Sequence, residues 1–183
     1  MATIIGLAGS LRLGSYNAAL LRAAAEMAPA GSRIEIETLA GIPLYDGDAE
    51  TRDGIPAPVT QLKDRIAAAS GLLLATPEYN NSMPGVFKNA IDWLSRPPAD
   101  IARVFGGKPV ALMGATPGAG GTRLAQTAWL PVLRTLGTRP WYGKSLYVAQ
   151  AGQVFDAAGT LQDERTRKVL QELVNGFVAF TAP

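Results

Sequence analysis

The 183-residue chain predicts an α/β fold, a parallel sheet with helices on both faces. Three observations carry that reading. Short apolar runs alternate with helix-spaced runs about five times along the chain. One run, Gly71 to Thr76, is apolar enough to be a strand buried on both faces. Three runs end in loops rich in glycine and hydrogen-bonding groups: Gly9–Asn17, Thr76–Gly85 and Thr116–Gly121. In a doubly wound sheet such strand ends lie side by side at the ligand crevice, although each loop by itself is also an ordinary tight turn between strand and helix.

The elements follow in order. Thr3 to Ala8 is short, apolar and ended by glycine, a buried strand. Asn17 to Met27 places Leu20, Leu21, Ala24 and Met27 on one helical face, and Pro29-Ala30-Gly31 ends it. Arg33 to Leu39 alternates charged and apolar residues, as a strand near a sheet edge does. Ala40 to Pro58 is a long, turn-rich connection that would hang over the strand ends. Its acids Asp46, Asp48 and Glu50 lack the full calcium-loop pattern and read as a solvated loop. Val59 to Ala69 is helical, and Pro84 suits the first turn of a helix running to about Ser95. Trp93 lies off that helix's main apolar stripe, so it is either core or a subunit contact. Lys88 and Asp92, four apart, are placed to pair. Lys108 to Ala115 is a fourth strand, Thr122 to Leu136 a helix, Arg139 to Ala149 an interrupted last strand with a bend at Gly143. A final helix lies within Leu161 to Phe180. No repeat or linker divides residues 1–183, so a single domain is expected.

Composition narrows the function. The chain is 48% apolar and 17% charged, a globular balance. Lys and Arg number 17 against 15 Asp and Glu, and no basic run of five occurs, which argues against nucleic acid. No apolar stretch approaches the roughly 18 residues of a membrane span, and no signal segment opens the chain, so a cytoplasmic protein is expected. The sequence has neither Cys nor His. That excludes thiol nucleophiles, Cys/His zinc sites and a Ser-His-Asp triad within one chain. If the protein is an enzyme, its chemistry belongs to a bound cofactor.

The loop Gly9-Ser10-Leu11-Arg12-Leu13-Gly14-Ser15-Tyr16-Asn17 stands between a strand and a helix start, where free amide groups and the helix dipole favour an anion. It adds two hydroxyls, an amide and a guanidinium, a donor set suited to a phosphate monoester. Ser15-Tyr16 stands where a Walker loop requires Lys-Ser/Thr, and Leu11 fills the second glycine place of the dinucleotide fingerprint. The loop therefore reads as a terminal-phosphate site or as a polar turn with Ser15 or Asn17 as helix cap.

Gly9-Ser10-Leu11-Arg12-x-x-Ser15-Tyr16-Asn17, together with Thr76-Pro77-Glu78-Tyr79-Asn80-x-Ser82-x-Pro84-Gly85-x-x-Lys88-Asn89-Ala90-Ile91-Asp92-Trp93, resembles the NAD(P)H-dependent FMN reductase family over nearly the whole chain. The resemblance implies a flavodoxin-like fold with five parallel strands in the order 2-1-3-4-5. It implies FMN as cofactor, NAD(P)H as co-substrate and a small acceptor such as a quinone, chromate, an azo compound or free flavin. Ser10, Arg12, Ser15 and Asn17, with the backbone of Leu11 and Tyr16, would hold the FMN phosphate. Pro77, Glu78, Tyr79 and Asn80 would border the ring, with Thr116 and Gly118 also near the flavin. Duller roles stay open: Arg12 in a surface salt bridge, Glu78 as a solvated acid, Tyr79 in the core. A homodimer or homotetramer is implied, with the helix Pro84–Ser95 as candidate contact. The alternative is a flavodoxin-like electron carrier for protein partners; such carriers are typically acidic, and this chain carries +2.

Overall fold

Strand, helix and loop succeed one another as the hydrophobic periods require, and the computed structural model describes residues 1–182. The order is β1 (Ala2–Ala8), α1 (Tyr16–Glu26), β2 (Ser32–Glu37), α2 (Gly47–Asp53), α3 (Ala57–Ala68), β3 (Gly71–Ala75) and α4 (Gly85–Leu94). A 3₁₀ turn (Pro98–Asp100), α5 (Ile101–Val104), β4 (Pro109–Ala115), α6 (Arg123–Thr135), β5 (Arg139–Pro140), β6 (Tyr147–Val148), α7 (Ala151–Val154) and α8 (Glu164–Phe180) complete it. The strands are parallel and run β2-β1-β3-β4-β5, with β6 also on β4.

Side chains alternate across each strand, so one sheet feeds two cores. Ile4, Leu73 and Met113 meet Leu20 and Leu21 of α1 and Leu173 and Phe177 of α8 on one face. Ile5, Leu72, Leu74 and Val110 meet Val59 and Ile66 of α3, Phe87 of α4 and Trp129 of α6 on the other. Every residue of β3 is buried, as its unbroken apolar run requires. β2 is the edge strand: Ile34 is buried, while Ile36 stands exposed.

The connection Ala40–Pro58 departs from its reading as a bare loop. It contains α2, which Asp46 caps by accepting the amides of Asp48 and Ala49 at 2.9 and 3.4 Å. Glu50 is no solvated acid either. It accepts Arg96 Nε at 2.8 Å and the Tyr45 hydroxyl at 3.0 Å. The Arg96 guanidinium holds the Glu50 carboxyl below the usual carboxylate range, and hydrogen bonding to Glu50 pushes the Tyr45 phenol up. The preceding segment is strapped to α4. Asn89 Oδ1 accepts the Tyr45 amide, and Asn89 Nδ2 and Trp93 Nε1 donate to the Pro43 carbonyl, at 2.8, 2.8 and 2.9 Å. Trp93 is thus core and loop anchor at once. Lys88 does pair with Asp92, at 2.7 Å.

The interrupted last strand resolves into β5 and β6. Pro140 has no amide hydrogen to extend β5. The Trp141 indole packs so closely on Gly143 and Gly176 that a Cβ at either would lie 2.6–2.7 Å from it. The two short helices after the 3₁₀ turn and after β6 have too few periodic residues to be legible in the sequence.

Candidate functional site

Three loops leave the C-terminal ends of the adjacent strands β1, β3 and β4. The first is shaped by α1. Ser15 is its N-cap, accepting the Ala18 amide at 3.2 Å, so the cap is Ser15 rather than Asn17. A turn from Arg12 O to the Ser15 amide (3.1 Å) folds the chain back. Ser10 Oγ accepts the Arg12 amide at 3.4 Å. The amides of Leu11, Leu13, Gly14, Tyr16 and Asn17 take no partner among the described residues. Arg12 is exposed and forms no ion pair among them. The loop offers hydroxyls, free amides and one unpaired guanidinium, which is what an anion at a helix start requires.

Two of its residues have other side-chain partners. The Tyr16 ring stacks on Phe155 with centroids 5.8 Å apart, so Tyr16 brings its amide to the loop. Asn17 is buried and clamps β4: its Nδ2 donates to the Ala115 carbonyl at 2.8 Å and its Oδ1 accepts the Ala115 amide at 2.9 Å. Asn17 therefore fixes the first loop against the residue that precedes Thr116.

The second loop is a miniature hairpin. Tyr79 and Ser82 exchange two backbone hydrogen bonds of 3.0 Å, and Asn80 and Asn81 between them have φ of 49° and 61°. Positive φ at both central residues is the type I′ pattern, and Asn tolerates it. Tyr79 is exposed, out of the core. Buried Thr76 anchors the hairpin's base, its Oγ1 donating to Pro77 O at 2.9 Å and accepting Trp129 Nε1 at 3.2 Å. Glu78 reaches the start of α6, where its Oε2 accepts the Ala125 amide at 3.0 Å. Thr122, the local N-cap position, makes no cap bond, so Glu78 is the cap supplied from another loop.

The third loop turns at Thr116. Its Oγ1 accepts the Gly118 amide at 3.3 Å, and its carbonyl accepts the Ala151 amide at 3.0 Å. Gly118 O accepts the amide of Gln150, a residue at φ 47°. Two glycines let the loops approach. A Cβ at Gly9 would lie 2.4 Å from Phe87, and one at Gly114 would lie 2.2 Å from the Thr76 carbonyl. Trp129 and Gln150 hold this region together, yet neither lies in a motif that marks it in the sequence.

The sheet order β2-β1-β3-β4-β5 with helices on both faces defines a flavodoxin-like protein, a fold class in which ligands bind at the strand ends. The chain belongs to the NADPH-dependent FMN reductase family, whose profile matches residues 2–153. It is 44% identical over 169 residues to an NAD(P)H-dependent FMN reductase of Pseudomonas aeruginosa, covering 92% of this chain and 89% of that one. It is 40% identical over 172 residues to a 2-hydroxy-1,4-benzoquinone reductase of a Burkholderia species, covering 94% and 92%. The solved structure of a flavoenzyme NAD(P)H:(acceptor) oxidoreductase from Paracoccus denitrificans superposes with a TM-score of 0.86 at 35% identity, covering 99% and 97%. Among the described residues no helix is long and apolar enough to cross a membrane, and no cluster of three metal-ligating side chains forms.

Proposed function

We propose that this protein is an FMN-dependent NAD(P)H oxidoreductase that reduces small acceptors of the quinone type. The observation that carries the reading is the loop 10–17. Its unpartnered amides, two serine hydroxyls and the free Arg12 guanidinium stand beside a hairpin and a threonine turn stitched to it through Asn17 and Ala115. Ser10, Arg12 and Ser15, with the amides of Leu11, Tyr16 and Asn17, would hold the FMN phosphate. Pro77, Glu78, Tyr79 and Asn80 would border the ring; Glu78 would do so by its backbone, since its carboxylate caps α6. Thr116 and Gly118 would close the third side. FMN bound there supplies the hydride chemistry that a chain without Cys or His lacks. The protein's part is to bind, orient and stiffen the surroundings.

The same reading takes the protein as a homodimer or homotetramer. The α4 surface is its contact, supported by exposed Val86 on that helix and by Leu44 in the segment strapped to it. A cytoplasmic location follows from dependence on the NAD(P)H pool.

The test is direct. Purified protein with added FMN should show a flavin spectrum and oxidise NADPH with 1,4-benzoquinone without an auxiliary reductase. A protein that neither carries nor takes up FMN would refute the assignment. FMN binding without unaided turnover would make it a carrier.

A further inference from the structure

Arg12 is committed to the FMN phosphate, so a second anion at the site needs a different cation. On and after α4 the cations are neutralised: Lys88 pairs with Asp92 at 2.7 Å and Arg96 with Glu50 at 2.8 Å. Arg123 is not. It opens α6, directly after the third loop. Two residues further on, the Ala125 amide donates to Glu78 of the hairpin. Arg123 therefore stands where the second and third loops meet, the two loops assigned to the flavin ring. It is exposed and forms no ion pair among the described residues.

The side chain is held without being neutralised. Its guanidinium lies over the Tyr147 ring, 4.8 Å from the centroid. Nη1 donates to the Gly120 carbonyl at 3.3 Å. Gly121, at φ 69°, lets the loop settle against Tyr147, where a Cβ would lie 3.0 Å from the Tyr147 Cβ. A ring thus takes one face of the guanidinium and a carbonyl takes one donor. Its other donors have no partner among the described residues. A planar fork fixed in this way matches the oxygens of a phosphate and has little freedom left to lose on binding one.

We propose that Arg123 receives a phosphate group of the nicotinamide dinucleotide and so holds that substrate at the flavin site. The proposal rests on the FMN reading. The phosphate has two possible sources. One is the 2′-phosphate, which NADPH alone carries. The other is the pyrophosphate, which NADPH and NADH share.

The test compares the parent with Arg123→Gln, which removes the charge but keeps a donor for Gly120, and with Arg123→Lys, which keeps the charge and loses the fork. Anaerobic stopped-flow follows the bleaching of bound FMN, with flavin occupancy matched by absorbance. The donors are NADPH, NADH and 1-benzyl-1,4-dihydronicotinamide, which carries no phosphate. Arg123→Gln should lower the second-order rate constant with NADPH by about tenfold to a hundredfold, the worth of one charge-assisted hydrogen bond. Arg123→Lys should recover part of it, and the loss should be confined to donors that carry phosphate. If the 2′-phosphate is the source, NADH keeps the parent rate; if the pyrophosphate is, NADH loses as much as NADPH. Calorimetric titration of NADP+ into the oxidised, FMN-loaded proteins should show a loss of affinity of the same size. An Arg123→Gln protein that slows all the donors alike acts through the loop and not through a phosphate. That result, a variant that slows none of them, or NADP+ that fails to bind the parent or binds parent and variant equally, overturns the proposal. The flavin reading is judged separately, by whether the parent takes up FMN and the phosphate-free donor bleaches it.

Discussion

Asn17 and Ala115, 98 residues apart, exchange two hydrogen bonds of 2.8 and 2.9 Å inside the protein. The pair fixes which end of the amide is which, because Ala115 presents one donor and one acceptor. It joins the start of α1 to the last residue of β4, the two ends on which the first and third loops are built. Replacing Asn17 by Ala leaves a buried amide and carbonyl without partners, which costs about 2–4 kcal/mol. Urea unfolding should register that loss, and FMN titration at a urea-free stability margin should show weakened binding. Asn17→Asp should be as harmful, because a carboxylate would face the Ala115 carbonyl. A variant of parent stability would mean that the clamp contributes nothing to the fold.

Arg12 should behave in the opposite manner. It is exposed and unpaired, so Arg12→Ala should leave the unfolding midpoint unchanged. It should weaken FMN by roughly ten- to a hundredfold, the worth of one charge-assisted hydrogen bond to phosphate. Flavin fluorescence quenching measures this, and an unchanged affinity would place the phosphate elsewhere.

Glu78 links the hairpin to α6, and Glu78→Ala should cost about 1 kcal/mol, as loss of a helix cap does. Glu78→Gln retains an acceptor and should recover part of it. Thermal melts of the three proteins give the ranking. Equal melts would mean that Ala125 finds another acceptor.

Asn80 carries a positive φ of 49°. Asn80→Gly should therefore be nearly neutral for stability, and Asn80→Val should cost about 1–2 kcal/mol, because a β-branched residue resists that conformation. The same melts decide it, and a harmless Val would contradict the hairpin geometry.

Acid should destabilise the fold through carboxylates held below their ordinary range. Arg96 lowers Glu50, Lys63 lowers Asp100, and hydrogen bonds from Thr166 lower Asp163. Each contributes stability above the unfolded carboxylate range, about pH 4, and loses it as pH falls through the lower folded value. Urea midpoints should hold from about pH 7 to pH 5 and drop as pH falls from there toward 3. In Arg96→Met the drop should be smaller, since Glu50 no longer gains from folding. A drop of the same size would mean that the ion pair is already broken in solution.

Local periodicity determined most of this molecule. The unbroken apolar run of β3, the charged alternation of β2 and the helix-spaced leucines of α1 each follow from one chain segment meeting water or core. The donor-rich loop 9–17 was legible for the same reason, because its chemistry is contiguous in the chain. Short-range pattern missed α2, whose turn-rich sequence is held by Asp46 and by the Glu50–Arg96 pair, and it placed Glu50 in solvent. Only the tertiary structure decided that Asn17 serves Ala115, that Glu78 caps a helix 47 residues away at Ala125, and that Tyr16 turns to Phe155. A side chain's partner is set by which strands become neighbours. That adjacency comes from packing the whole sheet, and no single stretch of sequence records it.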